Sequence, residues 1–551
     1  MTSRALPGWV FYISVILLAV FVVIGAYMPD RLTDWSQEAL KFTTLHFGWL
    51  YLFATTGFLI FCIYIAFTDY GLIRLGTEGE EPEFSYLAWL GMIFSAGMGV
   101  GLVFWGVAEP MTHYIDPPLN LAEARTPQAA NVAFRYSLFH WGFHQWANFA
   151  IVGLAIAFVR FRLRHGGLFS ETFRSTLGNR VDGPLGYAID ILAVISTTFG
   201  VATTLGLGTI QINSGLSTTM GIAFGSQQQL AILGGIALVF ILCALTPLER
   251  GVRYISNLNM LIAAALLLFV FFAGPTPFIT AVMTTSVGEY FSHMIDMSLA
   301  MSPFTGDDWV ERWTIFYWAW GLSWAPFVGS FIARISRGRT IREFILGVIG
   351  VPVVLSIAWF ATFGGTAFYF EMFADAGIAD AVSKEISSAL FTTLDQLPLP
   401  QIIGPLAVIL IILFVITSAN SATFVLGMFT TKGVLDPRRL VRVTWGGIQV
   451  MVAAVLLMSG GLAALQTMSI IAAFPFMIMM IFMAGALLRG LQDERRKIER
   501  RERELREGLK RLLAESAAAD VSTGSNNEEI PGELDDEDTG ERVNGSDDRP
   551  E

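Results

Sequence analysis

Tryptophan side chains are concentrated in one apolar stretch, which runs from Trp313 to Trp324 with the sequence WTIFYWAWGLSW. Tryptophan in membrane proteins usually lies at the two membrane–water interfaces. Trp318, Trp320 and Trp324 instead reach the middle of the longer apolar segment, 313–334, that contains this stretch. A quaternary ammonium ion has no N–H group to donate, so a protein holds it by shape and by the negative faces of aromatic rings. The stretch therefore predicts a binding site for a cation of this kind.

A second group of tryptophans belongs to the segment His140 to Trp146, HWGFHQW. His140 and His144 are four residues apart, a spacing that can hold a metal ion on one face of a helix, but no third ligand is evident. We therefore expect these histidines to make hydrogen bonds between helices. Trp141 and Trp146 either line a cavity or only pack, and packing is the commoner role of tryptophan at helical spacing.

Three glycines, Gly97, Gly99 and Gly101, alternate in another apolar segment. Each weakens a helix by about 1 kcal/mol relative to alanine. A helix broken at this place would offer backbone N–H groups to a carboxylate and carbonyl groups to Na⁺. The alternative is that the glycines allow close helix packing, and the spacing leaves both interpretations open.

Oxygen-bearing side chains cluster in a further apolar segment, where Thr417 to Thr423 reads TSANSAT. Hydroxyl groups in such helices commonly bond back to carbonyl groups of their own helix. The density of four hydroxyls and one amide favours a binding site here. Hard oxygen ligands of this kind suit a small cation.

These segments belong to a chain of 551 residues that is 54% hydrophobic and only 15% charged, with a mean hydropathy of +0.58. Soluble domains carry about 25% charged residues, so we predict an all-α membrane protein. Charged residues are nearly absent from the middles of the apolar segments, and we expect Glu109 and Asp190 near segment ends. This distribution argues against an ion pump and, less strongly, against proton coupling. We find no nucleophile–base pair, nucleotide motif or nucleic-acid-binding feature, and therefore expect no enzyme activity, catalytic residue or organic cofactor.

Twelve apolar segments approach the roughly 20 residues that a membrane span needs. With the N-terminus inside, seventeen Lys and Arg residues before Arg489 fall on the inner side and six on the outer side. This asymmetry predicts that both termini face the cytoplasm. The predicted spans are 8–28, 47–67, 86–108, 134–159, 187–210, 229–247, 255–273, 313–334, 344–370, 402–430, 441–460 and 464–488.

Several motifs, taken in order, resemble the betaine/choline/carnitine transporter family over roughly residues 8 to 488. They are Gly97-Met-Gly-Val-Gly101, Ala108-Glu109-Pro110, His140-Trp141 with Trp146, the Trp313–Trp324 stretch with Pro326-Phe-Val-Gly, and Arg334-Ile-Ser-Arg337-Gly-Arg339-Thr-Ile-Arg342-Glu-Phe.

The resemblance implies two inverted five-helix repeats preceded by two extra helices, in a homotrimer of the bacterial inner membrane. The glycine motif and the tryptophan stretch would fall on the first helix of each repeat, where alternating access predicts discontinuous helices. The expected regions are a two-helix extension (1–85), the first repeat (86–273), an outer amphipathic connection (274–312), the second repeat (313–488), a charged cytoplasmic helix (489–517) and an acidic disordered tail (518–551).

The resemblance also implies the residues that bind substrate and ions. An aromatic box would hold the cation, and backbone near the glycine motif would meet the substrate carboxylate. Residues of the box and its surroundings would be Trp141, Trp146, Phe149, Met98, Gly99, Gly101, Trp318, Trp320 and Gly321, with Trp324 as a second stop nearer the cytoplasm. One Na⁺ would be bound near Ser95, Met98 and Phe414 by backbone carbonyls and by the hydroxyls of Thr417 and Ser418. A second Na⁺ would use Thr197 and the ring of Phe327, but Val201 stands where the family has its other hydroxyl.

Three positions refine the expected solute. Gly101 stands where choline-type members tend to carry Asp, which favours a zwitterion over choline. Gly321 replaces a tryptophan and Phe149 a tyrosine of many betaine carriers, so we expect extra room in the box and a loss on the order of 1–2 kcal/mol for each missing ring face. Ectoine and dimethylsulfoniopropionate are therefore candidates beside glycine betaine.

The leading prediction is a symporter that imports a zwitterionic compatible solute by alternating access, with Na⁺ as the coupling ion. No Lys or Arg lies between Tyr187 and Ser214, which favours Na⁺ over the sodium-independent exchange of carnitine carriers. That exchanger and an osmosensor without transport remain alternatives. Besides the solute, the expected partners are membrane lipid and the other subunits, and the charged tail either senses osmotic or lipid state or only solubilises the protein.

Overall fold

The computed structural model describes residues 7–97, 99–245, 249–434 and 436–524. Within these ranges, only the backbone is described for residues 94–97, 244–245, 249–254 and 517–524. These residues are almost entirely helical, and they form no strand beyond one bridge between Arg74 and Thr340. The α-helices are α1 (Trp9–Tyr27), α2 (Pro29–Phe67), α3 (Tyr86–Gly97), α4 (Val100–Ile115), α5 (Pro127–Trp141), α6 (Phe143–Ala157), α7 (Arg174–Leu177), α8 (Pro184–Met220), α9 (Ser226–Leu245), α10 (Glu249–Ala273), α11 (Thr276–Ser298), α12 (Phe316–Ile335), α13 (Ile341–Ala374), α14 (Ile378–Lys384), α15 (Ala389–Leu394), α16 (Pro400–Thr430) and α17 (Arg439–Gly524). The all-helical prediction is confirmed.

Nine helical segments of the described residues are long and apolar enough to cross a membrane. The predicted third span is not among the nine, because it is interrupted between α3 and α4. The predicted eighth span corresponds to the 20-residue helix α12, which is not among the nine either. The eleventh and twelfth predicted spans both lie in α17, where Gly460 and Gly461 leave helical geometry. The count of twelve spans and the inverted repeats therefore stay predictions.

Burial separates the helices at the centre from those at the edge. In the segment Pro127–Arg162, 94% of the apolar window is buried, and in Pro184–Met220 the share is 83%. The corresponding share is 22% for both Trp9–Tyr27 and Ile255–Ala273. Apolar side chains exposed on the outer helices suit contact with lipid, whereas α5, α6 and α8 have the burial of interior helices.

Helices α6 and α12 approach each other closely through a pair of glycines. A Cβ atom at Gly329 would lie 2.9 Å from the backbone nitrogen of Gly153, and one at Gly153 would lie 3.2 Å from the carbonyl oxygen of Gly329. Small residues let two helix backbones meet in this way. The contact fixes the spacing between two helices that line the cavity described below.

The connection between α2 and α3 pairs with the loop between α12 and α13. The N–H of Leu75 donates to the Arg339 carbonyl at 2.8 Å, and the N–H of Gly338 donates to the Leu75 carbonyl at 2.9 Å. Glu80 pairs with Arg337 at 2.6 Å. The Thr77 backbone N–H, followed by the Arg337 guanidinium, holds the pKa of the Glu80 carboxyl below its usual range.

The expected outer connection over 274–312 contains one long helix, α11, and residues 375–399 between α13 and α16 contain the short helices α14 and α15. Residues up to Leu491 form one compact unit, and residues from Gln492 form another.

In the second unit the helix continues to Gly524 and carries ion pairs such as Arg495–Glu499 at 3.2 Å. Helix therefore extends beyond residue 517, where the acidic tail was expected to begin. Residues 525–551 of that predicted tail lie outside the described residues.

Candidate functional site: two adjoining cavities

A small cavity of about 50 Å³ is enclosed by four parts of the helical core. We call it the aromatic cavity. Its wall comes from the start of α4, the junction of α5 and α6, the middle of α12, and one residue of α13. The lining residues are Gly99, Gly101, Leu102, Trp141, Gln145, Trp146, Phe149, Trp320, Gly321, Trp324 and Ser356.

The two glycines at the start of α4 have different roles. Gly99 has extended backbone (φ −150°, ψ −172°) between α3 and α4, and nothing lies within 4 Å of the position of a Cβ. Gly101 is helical, and a Cβ there would lie 2.5 Å from the Trp320 ring and 2.8 Å from the Trp141 ring. Both sequence interpretations therefore apply: the helix is interrupted at Gly99, and close packing requires glycine at Gly101.

The rings of the cavity meet edge to face. The centroids of Trp141 and Trp320 lie 6.1 Å apart with an interplanar angle of 84°, and those of Trp146 and Phe149 lie 5.4 Å apart at 82°. Aromatic pairs prefer such arrangements because a positive ring edge then meets a negative face. The packing holds the rings in place around the cavity.

A buried polar cluster fixes the orientation of Trp141. The indole N–H of Trp141 donates to Glu109 Oε2 at 2.8 Å, and Glu109 Oε1 lies 2.7 Å from His140 Nδ1. The other ring nitrogen, His140 Nε2, lies 2.9 Å from Thr314 Oγ1. Glu109 is fully buried within α4, which corrects its expected place near the end of a span.

The histidine prediction is confirmed, because both rings bond to other helical segments. His144 Nε2 lies 2.9 Å from the hydroxyl of Ser298 in α11, and His140 joins Glu109 to Thr314. The sequence did not reveal that His113 also belongs here, with Nε2 3.4 Å from Glu109. Ligand atoms of Glu109, His113 and His140 lie within 4.8 Å of one another, but the two nitrogens of His140 are both used in hydrogen bonds.

The space beside Gly321 is filled. A Cβ atom at Gly321 would lie 2.3 Å from both the Nε2 and the Oε1 atoms of Gln145. The sequence led us to expect open room where a tryptophan is missing, and the structure places the Gln145 side chain there instead. Gln145 belongs to the HWGFHQW segment, but the sequence alone indicated no role for it.

A second cavity of about 120 Å³ adjoins the first. We call it the hydroxyl cavity, because it contains the predicted ion-binding hydroxyl groups. Its lining residues are Gly99, Ser256, Asn259, Trp324, Phe327, Val328, Phe331, Phe414, Thr417, Ser418 and Ser421. Gly99 and Trp324 belong to both linings, so the two cavities share a wall.

The Thr417 hydroxyl is the best-connected polar group of the hydroxyl cavity. It lies 2.9 Å from the Leu413 carbonyl and 3.1 Å from the Phe414 carbonyl, as back-bonding predicts. It also accepts a hydrogen bond from Asn259 Nδ2 in α10 at 3.2 Å. The Oδ1 atom of Asn259 is buried without a hydrogen-bond partner among the described residues, and the sequence had indicated no role for Asn259.

Trp324 is anchored at the shared wall. Its indole N–H donates to the Gly200 carbonyl of α8 at 2.9 Å, and its ring meets Trp320 on one side and Phe327 on the other, with centroids 6.4 and 5.5 Å away. These contacts place the ring between the aromatic residues of one cavity and the oxygen-bearing residues of the other.

Some predicted site residues are not brought to these cavities. Trp318 is fully buried and stacks on His144, with centroids 5.5 Å apart, outside the cavity lining. The Thr197 hydroxyl bonds back to the Ala193 carbonyl at 2.7 Å and is also outside both linings. Met98 and the Ser95 side chain lie outside the described residues, although the Ser95 backbone belongs to α3.

Apolar helices that enclose adjoining cavities are features of a multi-pass membrane transporter. The chain belongs to the betaine/carnitine/choline family of transporters (BCCT), whose family model matches residues 9–496. Members of this family are transporters, so the prediction that the chain is not an enzyme is confirmed.

Individual relatives cover nearly the same part of the chain. The chain is 44% identical to the ectoine/hydroxyectoine transporter of Virgibacillus pantothenticus over 91% of this chain and 99% of the relative. It is 46% identical to the glycine betaine transporter OpuD of Bacillus subtilis over 90% and 96%. It is 38% identical to the betaine/ectoine transporter LcoP of Corynebacterium glutamicum over 89% and 79%.

Proposed function

We propose that the protein imports a zwitterionic compatible solute, glycine betaine or a relative such as ectoine, by Na⁺ symport and alternating access. The observation that carries the proposal is the contact between the two cavities at Gly99 and Trp324. One cavity is suited to a diffuse organic cation and the other to a small hard cation. Similarity to glycine betaine and ectoine transporters supports the choice of solute class.

The aromatic cavity receives the solute. Trp141, Trp146, Phe149 and Trp320 offer ring faces to its positive group. Gly99 is the N-cap of α4, and the first backbone N–H groups of this helix, which have no acceptor within the helix, are donors for the carboxylate. Gly101 keeps the start of α4 against the two indoles.

The hydroxyl cavity receives the sodium ion. Thr417 and Ser418 contribute hydroxyl oxygens and Phe414 a carbonyl oxygen, which are ligands that hard cations prefer. Backbone carbonyls near Ser95 and Met98 complete this set in our proposal. A second sodium at Thr197 and Phe327 has less support, because Thr197 is back-bonded and only Phe327 reaches a cavity.

The shared wall explains how the two ligands affect each other. A ligand shifts a conformational equilibrium only through different affinity for the two states, and Gly99 and Trp324 can be ordered by either ligand. We further propose twelve spans, inverted repeats, cytoplasmic termini and a homotrimer in the bacterial inner membrane.

Uptake by purified full-length protein in proteoliposomes tests the function. Labelled glycine betaine and labelled ectoine are supplied with an inward Na⁺ gradient, an inward proton gradient or neither. We expect accumulation only with Na⁺. The proton arm is needed because the buried Glu109 weakens the sequence argument against proton coupling. Uptake that ignores Na⁺ and needs preloaded solute would indicate an exchanger, and binding without uptake would indicate an osmosensor.

Paired variants test the ion assignment. Replacing Thr417 with Val and Ser418 with Ala should abolish sodium stimulation, because two proposed ligands are lost while the shape is kept. Thr209→Val is the control, since Thr209 lies on the core helix α8 outside both cavity linings and its hydroxyl bonds back to the Leu205 carbonyl at 2.7 Å. Unchanged sodium dependence in the double variant would remove the ion from this cavity.

A further inference from the structure

The Gln145 carboxamide and the Ser356 hydroxyl are the polar side-chain groups, apart from the indole N–H groups, among the described residues that line the aromatic cavity. Gln145 lies on α6 between Trp141 and Trp146, and it lines the aromatic cavity with Gly321 on α12. Its carboxamide occupies the space next to Gly321, with both terminal atoms 2.3 Å from the position of a Cβ. A side chain at 321 and an extended glutamine at 145 would therefore compete for one volume.

The Gln145 carboxamide has hydrogen-bonding capacity that the protein does not use. The residue is 8% exposed, and its Oε1 atom is buried without a hydrogen-bond partner in the described part of the chain. A carboxamide has one acceptor oxygen and two N–H donors whichever way it is turned. An unpaired buried polar group costs free energy, and a ligand in the cavity with the complementary group would remove that cost.

A quaternary ammonium group cannot pair with the amide oxygen, because it has no N–H group. A cyclic amidinium, as in ectoine, also carries diffuse positive charge for the faces of Trp141, Trp146 and Trp320, and in addition offers N–H donors. A site built to bond an N–H group discriminates against a ligand that lacks it, since the buried acceptor is then left unpaired.

We propose that Gln145 accepts a hydrogen bond from the positive group of the solute, and that the protein selects zwitterions with an N–H-bearing amidinium over quaternary ammonium zwitterions. This inference rests on the proposed compatible-solute transport. It makes the Gln145–Gly321 pair the determinant of which member of that solute class is preferred.

Affinities for ectoine and glycine betaine, measured on the purified protein by tryptophan fluorescence and by competition in uptake, test the inference. We expect wild-type protein to prefer ectoine. Gln145→Leu should lower ectoine affinity about tenfold, as loss of a hydrogen bond to a charged group predicts, and should leave glycine betaine affinity unchanged or higher. Gln449→Leu is the matched control, because Gln449 is also a buried glutamine with an unpaired oxygen but lies outside the cavity lining.

A second variant and a ligand change keep the test independent of how well Gln145→Leu folds. The double variant Gln145→Ala with Gly321→Trp should shift the preference toward glycine betaine. With wild-type protein, ectoine methylated at both ring nitrogens, and so without an N–H donor, should bind about tenfold more weakly than ectoine.

Each contrary result has a distinct meaning. Equal loss of both solutes in Gln145→Leu, an unchanged preference, or full-strength binding of the methylated analogue would overturn the role of Gln145 while leaving transport intact. Failure of the wild-type protein to bind or transport either solute would overturn the proposed function, and this inference with it.

Discussion

The two cavities differ in chemistry although they share Gly99 and Trp324. The aromatic cavity is lined chiefly by rings from α5, α6 and α12, whereas the hydroxyl cavity combines rings from α12 and α16 with oxygen-bearing side chains from α10 and α16. Rings favour a large cation with diffuse charge, and oxygen atoms favour a small one. In the proposed function, the difference in lining separates the two ligands, and the shared wall couples them.

The helices that line the cavities also differ from each other in structure. The segment α3–α4 is interrupted at Gly99 and offers backbone, whereas α12 continues through Trp318, Trp320 and Trp324 and offers side chains. We had expected discontinuous helices at both places. The structure interrupts the helix at Gly99, whereas the tryptophan stretch begins in a π-helix, Glu311–Ile315, that continues directly into α12. In the proposed function, backbone recognition and side-chain recognition therefore fall to different parts of the molecule.

Replacing Trp141 with Leu should produce the largest separation between the cavities. It removes a ring face, worth on the order of 1–2 kcal/mol when desolvated, and leaves the Glu109 carboxylate without one of its donors, a further cost of about 1–3 kcal/mol. We expect about a 100-fold loss of solute affinity in uptake measurements. The sodium concentration for half-maximal uptake at saturating solute should change little.

Trp318→Leu is the control for this exchange. Trp318 is buried among rings outside the cavity lining, so the variant should lose thermal stability and keep its solute affinity. Similar affinity losses in both variants would show that ring packing in general, and not the cavity wall, sets solute binding.

Alanine at Gly101 should have the next largest effect. Its Cβ would lie 2.5 and 2.8 Å from the rings of Trp320 and Trp141, and overpacking of this kind costs about 1–3 kcal/mol. We expect about a 30-fold loss of solute affinity, measured by fluorescence titration. Gly91→Ala is the control, because Gly91 lies on α3 outside both cavity linings and no described atom lies within 4 Å of its Cβ position; an equal loss there would assign the effect to any added methyl group on this helical segment.

The sequence identified cavity residues whose types are rare in apolar helices. It was less able to predict which residues contact them in the folded protein. Trp320 and Trp324 are one helical turn apart and both reach a cavity, whereas Trp318 and Trp320 are two residues apart and point to different sides of a helix. The helical period alone could therefore have excluded Trp318 from the predicted solute-binding residues.

Gln145 and Glu109 show what the sequence could not predict. The role of Gln145 depends on the absence of a side chain at Gly321, a contact between α6 and α12 that no local pattern reveals. Glu109 was misplaced because the ends of a predicted span are uncertain by several residues. The sequence offered only weak signals for these roles: Gln145 lies between two tryptophans, and Glu109 directly precedes a proline.

Replacing Asn259 with Leu should affect the hydroxyl cavity alone. The variant loses the donor to Thr417 Oγ1 and an unpaired buried oxygen beside the proposed ion. We expect the sodium concentration for half-maximal uptake to rise about tenfold, equivalent to about 1.4 kcal/mol, with little change in solute affinity at saturating sodium. Asn420→Leu, a buried amide of α16 outside the lining, should leave both quantities near wild type, and an equal shift there would point to general polarity of the helix.

Replacing Trp324 with Phe should give the smallest effect and the one that involves both cavities. A ring remains at the shared wall, but the hydrogen bond from the indole N–H to the Gly200 carbonyl is lost, a net change of about 1 kcal/mol. We expect solute affinity and sodium affinity to fall together, each by about three- to fivefold, in titrations of one ligand at fixed concentrations of the other. Because coupling between two ligands is reciprocal, the factor by which sodium improves solute affinity must equal the factor by which solute improves sodium affinity, and both should decrease in this variant. A change confined to one ligand would place Trp324 in a single cavity and would require the coupling to pass through Gly99.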